Sequence, residues 1–140
     1  MRTRAQQEME QALKLVQEVA NEYPEESKVR QVYGGLCHNF PVLVRTCGLR
    51  QAIAFSVDKA RRLDSEGSTN EERERAQAHQ IHLSHVAHVL AVPQDKLLDT
   101  VLTASVEDYM LYTRRVLSAW VYFKRFARSL LKVEPGGDES

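Results

Sequence analysis

No stretch of the chain approaches the roughly 18 consecutive apolar residues that a membrane-spanning helix needs. Glycine and proline are scarce, six and four of 140 residues. That argues against many-stranded architectures, collagen-like repeats and flexible low-complexity linkers. The two cysteines, Cys37 and Cys47, form no CxxC pair, so they read as free thiols in a reducing compartment. There is no GxSxG elbow, no phosphate-cradling glycine loop and no dinucleotide fingerprint. Net charge is also missing, because 19 acidic residues balance 19 basic ones. The opening residues turn polar and acidic where a secretory signal would need an apolar stretch. A cytoplasmic protein with no membrane partner is expected.

What is present favours helix. Ala, Leu, Gln, Glu and Arg are abundant, and no strand-like alternation or repeat period appears. Residues 3–21 place Ala5, Met9, Ala12, Leu13, Val16 and Val19 at three- and four-residue steps. Pro24 suits the first turn of a second helix that runs to Leu36 and meets Gly34-Gly35. That glycine pair predicts a kink or a close-packing point. Asn39 and Pro41 predict a cap and opening turn for a short helix over 41–46. Gly48 predicts a break before a helix over 49–63. Residues 64–70 form the clearest loop, and Ser68 with Glu71 has capping-box spacing for a helix over 71–91. A short helix follows Pro93, and Ser105 caps a long last one. The expected fold is all-α: a compact single-domain bundle of six or seven helices over 1–133, with a disordered tail over 134–140.

The charge is sorted. Residues 109–132 hold six basic side chains and no acid. On a helix, Arg114, Arg125, Arg128 and Lys132 fall within about 60° of one another. Tyr109, Val116, Trp120, Phe123, Ala127 and Leu130 fall opposite. One face packs and the other presents cations, a pattern suited to gripping a polyanion without reacting with it. Lys124 lies beside the row. Arg45, Arg50, Lys59, Arg61 and Arg62 predict a second patch, with Arg61 and Arg62 its most exposed members.

His79, His82, His85 and His88 recur every third residue. Each step slips by about 60° on a helix, so the four rings fan over half the cylinder and cannot meet on one ion. His79 is expected to be partly buried and the others to rim the helix. No metal or cofactor is expected, and no acid–base pair finds a catalytic setting. The rival readings are a helical adaptor that binds an acidic protein partner and a histidine-based metalloenzyme.

Several blocks together carry a resemblance. Tyr33-x-x-Leu36, Pro41-Val-Leu-Val-Arg45, Gly48-Leu-Arg-Gln-Ala-Ile-Ala-Phe55, Tyr109-x-x-Tyr112-Thr-Arg-Arg115 and Phe123-Lys-Arg-Phe-Ala127 stand in this order. The chain thereby resembles the small-subunit family of Cmr-type (type III-B) CRISPR effector complexes. Cys47 stands where that pattern has a small polar residue, and Phe123 where it has Trp. The resemblance implies a small all-helical subunit without nuclease activity. Copies would stack as a filament beside the other Cmr subunits, their basic faces lining the channel where guide RNA and target RNA pair. Taken with the cationic row, this makes Arg114, Arg125, Arg128 and Lys132 the expected phosphate contacts, with Lys124, Arg61 and Arg62 behind them.

Overall fold

A computed structural model describes residues 2–136. Six α-helices form among them, and no strand: α1 (Arg4–Glu22), α2 (Lys28–Cys47), α3 (Leu49–Ala60), α4 (Asn70–Leu90), α5 (Leu97–Thr103) and α6 (Val106–Ser129). Short 3-10 turns, Arg61–Asp64 and Gln94–Lys96, join α3 to α4 and α4 to α5. The fold is the expected all-α bundle. Residues 137–140 of the expected disordered tail lie outside the described residues.

Caps set the helix starts. Thr3 and Gln6 cap α1 reciprocally: each side chain accepts the other's backbone N–H, at 3.1 and 2.9 Å. The capping box of α4 is Thr69 with Glu72, one residue later than the Ser68–Glu71 spacing predicted. Glu72 also bonds Arg62, and the Thr69 hydrogen bonds hold its carboxyl below the usual carboxylate range. Ser105 caps α6 as expected, accepting the Asp108 N–H at 3.1 Å.

The second helix departs from expectation. It starts at Lys28, capped by Ser27, because Pro24 closes a turn with Ser27 N–H instead of opening the helix. It then runs unbroken through Gly34, Gly35, Asn39 and Pro41 to Cys47. No separate helix over 41–46 exists. Pro41 costs the helix one hydrogen bond, but α2 packs against α3, α4 and α6 at once, and its residues from Val32 to Phe40 are mostly buried. Burial on several sides outweighs the local breaker. The glycine pair is a close-packing point: a Cβ on Gly34 would meet the Val133 side chain at 2.6 Å.

Gly48 ends α2 and opens α3 with φ +89°, a conformation that suits glycine, and Tyr109 Oη lies 3.1 Å from where a Cβ would stand. The Tyr109 hydroxyl accepts the Arg50 N–H, while the Arg50 guanidinium lies 4.0 Å over the Tyr109 ring. Arg50 also donates to the carbonyls of Val101 and Ala104. Two of the resemblance blocks therefore meet to build a corner of the fold, and Arg50 leaves the second basic patch.

The centre is aromatic. Trp120 and Phe123 stack at 4.2 Å, and Phe40 lies 5.2 Å from Trp120. Phe123, where the resemblance leads one to expect Trp, is fully buried in this stack one turn beyond Trp120. In α1 the buried line is Ala12, Leu15, Val16 and Val19: the predicted Ala12, Val16 and Val19 are buried, Leu15 joins them, and the predicted Met9 and Leu13 stay exposed. Both edges of the stripe are apolar, and α6 covers only one.

Candidate nucleic-acid interface

The α6 surface carries most of the predicted cations. Arg114, Arg125 and Arg128 are exposed, and Lys124 is half-buried beside them. Arg125 and Arg128 stand about 4.5 Å apart along the axis, and Arg114 lies about 16 Å further back. The Arg125 guanidinium sits 5.5 Å over the Tyr122 ring, which restrains it without neutralising it. A groove of about 430 Å³ runs along this end of α6, lined by His38, Val121, Lys124, Arg125, Arg128, Ser129 and Pro135.

Lys132 does not continue the row. α6 ends at Ser129, and Lys132 adopts a left-handed backbone, φ +62°. The cause lies on α2, where Arg30, Gly34 and His38 stand four residues apart on one face. Arg30 donates to the carbonyls of Leu130 and Leu131 at 3.0 and 3.2 Å. Its other amino group reaches the carbonyls of Ala20 and Tyr23 at the end of α1. His38 Nε2 donates to the Val133 carbonyl at 2.8 Å, since a carbonyl can only accept. Together they strap the chain across α2 and turn it away from the helix. Lys132 remains exposed near Arg128 in sequence but off its stripe. The buried Arg30 is a structural residue that charge patterning did not single out.

The row is also less free of acid than its own sequence window suggests. Glu8 of α1 accepts from Ser118 Oγ at 2.9 Å, partway between Arg114 and Arg125. Glu134 accepts from Arg128 Nε at 3.0 Å. Arg115 lies half-buried in a crevice with Arg4, Gln7 and Glu8. Arg61 and Arg62 stand elsewhere, between α3 and α4. Arg62 pairs with Glu72 at 3.0 Å and Arg61 with Asp58 at 3.9 Å. Arg61 lines a different groove, of about 740 Å³ between α3, α4 and α5, with Asp95 and Asp99 on its rim.

The histidine run corrects a further expectation. His79, His82 and His85 are all buried, and only His88 of the four is exposed. α4 is wedged between α2, α3 and α6, so half its cylinder is covered. The rings fan to different neighbours. His79 Nδ1 is 3.1 Å from Ser56 Oγ, and His85 Nδ1 is 2.6 Å from the Tyr33 hydroxyl. His82 stands edge-on to Phe40 and Trp120, with neither ring nitrogen hydrogen bonded among the described residues. Burial, with help from Lys59 and Arg75, lowers His79 to about 4. Burial, with help from His88, lowers His85 to about 4. Burial also holds His82 well below the usual range and pushes the Cys37 thiol up to about 12. Among the described residues, no three His, Cys, Asp or Glu side chains gather as a metal site. No helix there is long and apolar enough to cross a membrane.

Residues 4–130 match a family described as CRISPR-associated protein (Cas_Cmr5). The chain is 33% identical over 133 residues to the CRISPR system Cmr subunit Cmr5 of Thermus thermophilus, covering 94% of this chain and 99% of that one. It is also similar to the crystal structure of a CRISPR-associated Cmr5 family protein from Thermus thermophilus. That similarity has a TM-score of 0.68 at 30% identity, over 95% of this chain and 100% of the other.

Proposed function

The chain belongs to the CRISPR-associated Cmr5 family, and from that membership we propose that it is a non-catalytic small subunit of a type III-B (Cmr) ribonucleoprotein. In this reading it works beside other Cmr subunits in the cytoplasm, in several stacked copies, and holds guide and target RNA by their phosphates. The observation that carries the RNA role is the exposure of Arg114, Arg125 and Arg128 on one α6 face, with Lys124 at its edge. Such a face supplies charge and shape, not sequence readout. Lys132, Arg61 and Arg62 are secondary contacts: the first has left the helical row, and the other two already face Asp58 and Glu72. A head-to-tail stack is a heterologous, open assembly, and it would align successive α6 faces along one RNA.

The test is a fluorescence-anisotropy titration of mixed-sequence single-stranded RNA at several salt concentrations. Wild type should bind without sequence preference, with log K falling steeply against log salt. R114A/R125A should flatten the slope by about 0.7 for each phosphate no longer neutralised. An unchanged slope would remove both residues from the RNA surface.

One observation favours a second reading. Met110 and Val121 share the α6 face with these arginines and are 55% and 50% exposed. Mixed apolar and cationic surface suits an acidic protein partner. RNA of any sequence should displace that partner if the RNA reading holds, and should fail to if the face serves protein alone.

A further inference from the structure

The basic groove on α6 already carries an anion from its own chain. Glu134 Oε2 accepts from Arg128 Nε at 3.0 Å, and Pro135 lines the same groove as His38, Lys124 and Arg125. The residue just before Glu134 is fixed by three contacts. The Val133 N–H donates to the Ala127 carbonyl at 3.0 Å, its carbonyl accepts from His38 Nε2, and its side chain fills the space over Gly34. Glu134 is therefore delivered to Arg128 by a strapped backbone. A carboxylate offers a guanidinium two oxygens much as a phosphodiester does. We propose that Glu134 occupies in cis the phosphate position at Arg128, so that RNA backbone must displace it: an autoinhibitory contact within the groove. The inference rests on the RNA reading above and adds regulation to that site. Arg128 and Glu134 side chains are 61% and 71% exposed. Exposed pairs of this kind shift equilibria by about 1.4- to fivefold, a barrier that a ligand touching several cations overcomes.

The experiment compares full-length wild type, E134Q, E107Q, R128Q and R128Q/E134Q for binding of a short fluorescent mixed-sequence single-stranded RNA at low salt. E107Q removes one charge from the opposite end of the same helix and serves as the control for net charge. E134Q should bind about two- to fivefold more tightly than wild type and exceed any gain in E107Q. That gain should vanish in the R128Q background. If wild type binds RNA but E134Q gains nothing, gains only as much as E107Q, or keeps its gain without Arg128, the autoinhibitory contact is overturned and the RNA reading stands. If no variant binds RNA at low salt, both are overturned.

Discussion

At the scale of single residues, Arg30 joins two helix ends that would otherwise leave carbonyls without donors. Ala20 and Tyr23 stand at the close of α1, Leu130 and Leu131 at the close of α6, and all four accept from one buried guanidinium. Arg30→Met should lower stability by about 3 kcal/mol or more, read as the urea midpoint. Arg30→Lys should recover only part, because a single ammonium cannot fork to both ends. The buried histidines give a pH prediction. His79 and His85 are neutral in the fold down to about pH 4, whereas an unfolded histidine takes its proton near pH 6.5. Between those values the unfolded chain binds more protons, so stability must fall as pH falls through that window. At pH 5 the loss should reach about 2 kcal/mol per ring relative to pH 7. Urea unfolding at the two pH values checks this, and H79Q/H85Q should reduce the dependence, leaving the part that buried His82 carries in the same direction. His82 has no hydrogen-bond partner among the described residues. His82→Leu should therefore be neutral or stabilising by about 1 kcal/mol in the same assay.

Among the elements, α2 shows where local signals fail. Pro41 and Gly34-Gly35 are breakers by propensity, yet the helix passes through both because three other helices cover it. Tertiary burial of this sort leaves no mark in a window of neighbouring residues. The same limit blurred the edge of the α1 stripe: Ala12, Val16 and Val19 are buried as the spacing predicts, but Leu15 takes the place of Met9 and Leu13 beneath α6. Caps, by contrast, are local chemistry: Ser105 and the Gly48 break were legible, and the capping box of α4 was legible to within a residue. So was the cationic α6 face, whose 3.6-residue spacing needs no partner to be seen. The end of that face was not: Lys132 is turned aside by Arg30 and His38, about a hundred residues earlier in the chain. The Gly34 contact makes the strap testable. Gly34→Ala would drive a methyl into Val133 at 2.6 Å and should cost about 2 kcal/mol. V133A in the same chain should return only part of it, because the Val133 Cβ itself stands at 2.6 Å, and a double-mutant cycle by urea unfolding measures the coupling.

For the whole molecule, zero net charge makes polarity the relevant quantity. One end of α6 gathers Lys124, Arg125 and Arg128, while the groove between α3, α4 and α5 carries Asp95 and Asp99 on its rim. Under the proposed RNA role, a neutral protein of this kind attracts RNA weakly from a distance and must hold it by contact. Binding should therefore fall steeply between about 50 and 200 mM salt, the range over which phosphate contacts weaken. Acids supplied by α1 and by the tail trim the same surface, so on the proposed reading affinity in isolation should be modest and should rise in the proposed stack. A ¹⁵N–¹H chemical-shift map of the protein, titrated with mixed-sequence single-stranded RNA at low salt, would locate the RNA surface residue by residue. Shifts should centre on the exposed face of α6 from Arg114 to Arg128 and spread to His38 and Glu134. Shifts centred on Arg61, Arg62 and the groove between α3, α4 and α5, with α6 unmoved, would contradict an RNA-gripping role for α6.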